Sequence, residues 1–114
     1  LIFLPDTEEG RGIKMFLDKH FYCIPRGGNV WEVTQKNYTK ATGIQFMCSH
    51  LHADMEDCFA VGDSENDLDM LKAVKNSIAM GNAKEEILTY CSYVTKGIEE
   101  DGIYHALKHF GIIK

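Results

Sequence analysis

The densest group of polar side chains is Gly62-Asp63-Ser64-Glu65-Asn66-Asp67, set between the apolar run Cys58-Phe59-Ala60-Val61 and a stretch that places Leu68, Leu71 and Val74 at helical spacing. Two carboxylates four residues apart, Asp63 and Asp67, with the Asn66 amide between them, suit a hard, oxygen-liganded cation. Magnesium takes one or two protein carboxylates and completes its shell with phosphate and water. The position of the cluster matters as much as its composition. In open α/β sheets, ligands bind beyond the carboxyl ends of the strands, where helix N-termini offer unpaired N–H groups to anions. The same residue types also cap helices and form turns, so spacing alone leaves a metal site and a plain helix start both open.

A second group, Cys48-Ser49-His50-Leu51-His52 with Cys58, brings thiols and imidazoles within eleven residues. Its spacing matches none of the common structural-zinc patterns. The four cysteines, at 23, 48, 58 and 91, form no CxxC pair, and a chain of this size with an ordinary core has no need of covalent staples. Reduced thiols and a cytoplasmic location are the expectation.

The elements that must position these groups alternate. From Thr39 a helical stretch runs to about Ser49 and is followed by a buried strand at Cys58–Val61. A helix over Asn66–Val74, a short strand at Ser77–Met80 and a helix capped by Asn82 with Glu85 three residues on come next. A weak strand at Tyr93–Thr95 and a helix over Gly102–Phe110 complete the series. This order is the signature of a parallel sheet covered by helices. Before it, Leu1–Leu4 reads as a strand, and a helix follows that is expected to begin only near Arg11, because Gly10 and Gly12 each cost about 1 kcal/mol in a helix interior. Phe21–Ile24 and Val30–Val33 read as a hairpin joined across Pro25-Arg26-Gly27-Gly28-Asn29. The change in texture places a domain boundary near Gln35, giving units 1–35 and 36–114.

Composition sets the outer limits. With 114 residues, 45% of them hydrophobic and 25% charged, the chain is long enough for a real core and far from the disordered or collagen-like extremes. No apolar run approaches the ~20 residues of a membrane-spanning helix, which argues against a membrane partner. Twelve basic residues scattered among seventeen acids, for a net charge of −5, argue against a nucleic-acid partner, which would need clustered lysine and arginine.

The stretch Phe59-Ala60-Val61-Gly62-Asp63-Ser64-Glu65-Asn66-Asp67-Leu68-Asp69-Met70-Leu71, followed by Ala79-Met80-Gly81-Asn82-Ala83 and Glu100-Asp101-Gly102-Ile103, resembles the C-terminal half of a Cof-type phosphatase of the haloacid dehalogenase-like superfamily. The likeness covers about residues 30 to 114. It implies an α/β fold: part of a Rossmann-like core with parallel strands and flanking helices, preceded by the end of an α+β cap domain. It also implies a Mg2+ cofactor and a small phosphorylated metabolite, with sugar phosphates foremost, as substrate. Residue by residue, Asp63 matches the metal-binding acid and Asn66 the phosphate-contacting amide. Asp67 matches the acid that supports the metal shell through water or hydrogen bonds, and Lys40 the lysine that neutralises the phosphoryl group. The family places glycine directly after that lysine, whereas Ala41-Thr42 precede Gly43 here, and Lys36 is a nearby competitor.

In this superfamily an aspartate in an N-terminal DxDGT-like motif attacks phosphorus to form an aspartyl-phosphate. The one DxD here, Asp67-Leu68-Asp69, falls inside an expected helix. Leu1 also reads as the middle of a strand. The expectation is therefore a C-terminal piece of a phosphatase, inactive by itself, whose strand at Cys58–Val61 presents an open edge prone to self-association. The alternatives are a non-catalytic module that binds metal and phosphate without turnover, and a phosphomutase of the same superfamily.

Overall fold

The computed structural model describes all 114 residues. They fold as two compact units, Leu1–Thr39 and Lys40–Lys114.

In the first unit, β1 (Ile2–Phe3), β2 (Phe21–Gly27) and β3 (Val30–Gln35) form an antiparallel sheet in the order β1-β3-β2. The expected hairpin is present, with longer strands than the sequence suggested. Pro25 lies within β2 opposite Trp31, and the register shifts between Pro25 and Gly27. A proline is tolerated there because β2 is an edge strand and its missing N–H breaks no interior ladder.

Helix α1 (Glu8–His20) starts a turn earlier than expected. Thr7 caps it, its hydroxyl accepting from the Gly10 N–H at 3.1 Å. Glu8 and Glu9 occupy the first turn and Lys19 and His20 the last, each sign matching the helix dipole. Gly10 is the reason the start is early: a β-carbon there would lie 2.0 Å from the Pro5 carbonyl oxygen. The glycine lets the incoming chain fold tightly over the first turn, and that contact outweighs its poor helix propensity. Gly12 has open space around it. Gly10→Ala is accordingly expected to cost about 2 kcal/mol or more through displaced backbone. Gly12→Ala should stabilise by about 0.5–1 kcal/mol. Urea midpoints of the two variants should move in opposite directions; two stabilised variants would refute the tight entry.

In the second unit, α2 (Lys40–Leu51), β4 (Phe59–Gly62), α3 (Leu68–Ala73), β5 (Asn76–Ala79), α4 (Glu85–Tyr90), β6 (Tyr93–Val94) and α5 (Gly102–His109) follow in the expected alternation. The sheet is parallel, in the order β4-β5-β6, with Gly62 paired to Ala79 and Ala79 to Val94. Central strand β5 buries Ser77, Ile78 and Ala79 in succession, as a strand covered on both faces must. Ala60, Leu71, Val74, Ala79 and Ile87 form the core, drawn from strands and helices alike. Asn82 does not cap α4 as expected: Lys84 is the N-cap residue. The Asn82 side-chain oxygen instead accepts from the Ile98 N–H at 2.9 Å. This ties the loop after β5 to the loop after β6.

Candidate active site

Because β4, β5 and β6 are parallel, the segments that leave their carboxyl ends emerge on one side of the sheet. The Met80 N–H donates to the Gly62 carbonyl at 3.0 Å, and the Gly81 N–H to the Lys96 carbonyl at 3.1 Å. These bonds lace the three exits together. After β4 the chain turns through Asp63 and Ser64 into a 3-10 turn, Glu65–Asp67, that runs straight into α3.

Asp67 organises this turn. It is buried, with 8% of its surface exposed, and one carboxylate oxygen accepts from the Asp63 N–H at 3.1 Å and the Ser64 N–H at 3.4 Å. The other oxygen pairs with the Lys40 ammonium. Lys40 is the first residue of α2, so this contact joins the start of one helix to the loop that opens another. Burial pushes the Asp67 carboxyl up, but the Lys40 ammonium and the N–H donors of Asp63 and Ser64 outweigh it and hold it below the ordinary aspartate range. The aspartate is ionised at neutral pH. Gly62 makes the arrangement sterically feasible: a β-carbon there would lie 2.7 Å from the Asp67 β-carbon.

The remaining predicted residues lie on the same turn. Asp63 is exposed. Asn66 is half-buried, and its side-chain oxygen accepts from the Ser64 hydroxyl. Lys84 donates to Glu65 at 2.7 Å, a clasp between the loop and the start of α4 that no spacing rule marked in advance. Lys36, the competing lysine, donates to the Lys19 carbonyl at 2.8 Å. The structure thus brings Lys40, Asp63, Asn66 and Asp67 together and occupies Lys36 elsewhere.

Magnesium is the cation the sequence resemblance implies, and the donors here fit a part of its shell. Asp63 offers an exposed carboxylate beside the ends of three parallel strands. The two Asp67 oxygens are already engaged by Lys40 and by loop N–H groups, so Asp67 fits a supporting position. No group of three His, Cys, Asp or Glu side chains converges anywhere in the chain, and a magnesium ion held by one carboxylate needs phosphate, water or further ligands for the rest.

Comparison with known proteins identifies the family and the fold. The family model of haloacid dehalogenase-like hydrolases matches residues 1–107. The chain belongs to that family. It is 44% identical over 90 residues to an uncharacterized protein in the pdhA 5' region of Geobacillus stearothermophilus, covering 79% of this chain and 84% of that one. It is 34% identical over 105 residues to a phosphoglycolate phosphatase of Methanobrevibacter smithii, covering 92% of this chain and 44% of the relative. Among solved structures, the subclass IIB sugar phosphatase BT4131 of the HAD superfamily superposes with a TM-score of 0.80 at 36% identity, covering 94% of this chain and 41% of that one. The chain therefore spans less than half the length of these two phosphatases. The α/β reading and the resemblance to haloacid dehalogenase-like phosphatases both hold, and no helix is long and apolar enough to cross a membrane.

Proposed function

We propose that this chain forms the lysine- and metal-binding side of a magnesium-dependent phosphatase that hydrolyses small phosphorylated metabolites, sugar phosphates foremost, in the cytoplasm. The observation that carries the reading is the Lys40–Asp67 pair, seated beside exposed Asp63 at the ends of three parallel strands. Phosphoryl transfer spreads negative charge over the transferring oxygens, so catalysis is mainly positioning plus fixed positive charge. Lys40 supplies one such charge, held in place by Asp67, while Asn66 offers its amide to a phosphate oxygen. Asp63 would be a direct magnesium ligand, and Asp67 would act on the shell through the loop it pins. When bound, magnesium neutralises charge on the phosphoryl oxygens.

In this reading the first unit is the end of a cap domain that selects substrate. The attacking aspartate, which forms the aspartyl-phosphate, comes from residues outside these 114. β4 lies at an edge of the sheet in this chain, and its open side is where the missing core strand would pair or where copies of the chain would associate. The test is turnover of a generic aryl phosphate with magnesium. The 114-residue chain is expected to show none, whereas a longer protein containing it should turn over and lose activity on Asp63→Ala. Hydrolysis by the short chain that Asp63→Ala abolishes would overturn the placement of the nucleophile elsewhere.

A further inference from the structure

The cysteine group singled out in the sequence is absorbed neither by the candidate active site nor by a metal. The Cys48 and Cys58 sulfurs lie 3.2 Å apart, both as free thiols, and no third His, Cys, Asp or Glu side chain joins them in a metal-holding group. Cys48 is buried on α2, with 7% of its surface exposed. Cys58 is half-buried between the 3-10 turn Met55–Asp57 and β4. The Ala53 N–H donates to the Cys48 carbonyl at 2.9 Å, closing the C-terminal end of α2 just before the turn that leads to Cys58.

We propose that Cys48 and Cys58 form an oxidisable dithiol site that reacts with low-molecular-weight disulfides to give a reversible intramolecular disulfide. The separation decides the chemistry. Closing from contact to the roughly 2.05 Å of a disulfide requires about 1 Å of movement, within the reach of side-chain rotation. The more accessible Cys58 thiolate attacks one sulfur of the reagent, forming a mixed disulfide and releasing one thiolate, which takes up a proton. Cys48 then attacks the Cys58 sulfur, gives up its proton and displaces the second half of the reagent as a thiol. In sum, two cysteine thiols are oxidised and one small disulfide is reduced to two thiols. The second step is intramolecular at contact distance, so it outruns both return attack by the released thiol on the mixed disulfide and reaction of Cys48 with a second reagent molecule.

The hydrogen bond with Cys48, burial and the nearby Asp57 and Asp54 carboxylates raise the Cys58 thiol above its ordinary range. That slows the first step and leaves the pair reduced where small disulfides are scarce. The bond would fasten the helix that begins with Lys40 to the strand that ends at Gly62, at the end of that strand opposite the Asp63 loop. It is independent of the phosphatase reading.

The tryptic stretch 41–72 holds both of these cysteines and neither Cys23 nor Cys91, which makes the outcome readable by mass. After incubation of the 114-residue chain with oxidised glutathione, this peptide is expected to lose about 2 Da, the two thiol hydrogens. Cys23 and Cys91 should carry glutathione or remain free. Cys48→Ser should leave Cys58 trapped as a glutathione adduct, and Cys58→Ala should leave buried Cys48 unmodified, so either variant serves if the other fails to fold. In urea the preference for the internal bond should vanish. A native peptide 41–72 carrying two glutathione adducts, internal bonds that form equally well in urea, or linkage of Cys48 or Cys58 to Cys91 would each overturn the proposal.

Discussion

Asp67→Asn should lower the unfolding free energy by about 2–4 kcal/mol at neutral pH, an effect that fades in acid. Both carboxylate oxygens of Asp67 accept hydrogen bonds, one from Lys40 and the other from the N–H groups of Asp63 and Ser64. An amide of the same shape must turn its NH2 toward one of these donors. Lys40 is half exposed, so solvent screens its share and the ion pair itself contributes modestly. The larger part of the loss comes from the buried end, where loop N–H groups would face a donor or go unpaired. The folded-state pKa of Asp67 lies below that of the unfolded chain, so the stability it contributes is fully present above about pH 4 and is lost as pH falls through the folded value. Asparagine does not titrate. Urea unfolding of both proteins at about pH 7 and about pH 3 should therefore show the gap narrowing in acid. A gap that stays constant with pH would mean that the carboxylate charge is not what holds the turn.

Much of this arrangement was legible in the sequence because it is local. The alternation of short apolar runs with helical spacing marked every strand and α-helix from Lys40 onward, though not the 3-10 turns at Met55–Asp57 and Ile98–Glu100, and the run from Gly62 to Asp67 advertised a polar strand exit. The misses have identifiable physical causes. Gly10 and Gly12 look alike to a propensity scale, yet a β-carbon at Gly10 would fall 2.0 Å from the Pro5 carbonyl oxygen while one at Gly12 would meet nothing. Only a tertiary contact separates them. Asn82 has the right offset from Glu85 for a helix cap, but a partner sixteen residues away, the Ile98 N–H, takes its oxygen. The Lys84–Glu65 clasp and the meeting of Cys48 with Cys58 likewise depend on how α2, β4 and α4 pack around a common sheet. The pairing of Lys40 with Asp67 spans twenty-seven residues; spacing could nominate both partners, but the fold makes them neighbours.

That pairing also separates the two candidate lysines in a way kinetics can read. In a form of the protein that hydrolyses phosphate esters, Lys40→Ala should reduce kcat/KM by about 10²–10³-fold, the scale of losing one preorganised charge that acts on the transition state. Lys36→Ala should leave it within about a factor of two, because its ammonium is spent on the Lys19 carbonyl in an exposed contact. Lys40 is held by a buried, ionised aspartate, so its charge is fixed before substrate arrives and costs little reorganisation as the transition state forms. Removing it also leaves Asp67 without its counter-ion. Folding must therefore be checked by urea unfolding, and the kinetic loss counted only for protein that remains native. Lys40→Arg keeps the charge on a bulkier head group and should recover part of the rate. If Lys36→Ala were the damaging variant, or if Lys40→Ala slowed turnover only in proportion to lost native protein, the phosphoryl-neutralising role would pass from Lys40, and the Lys40–Asp67 pair would be a fastening between α2 and the loop after β4.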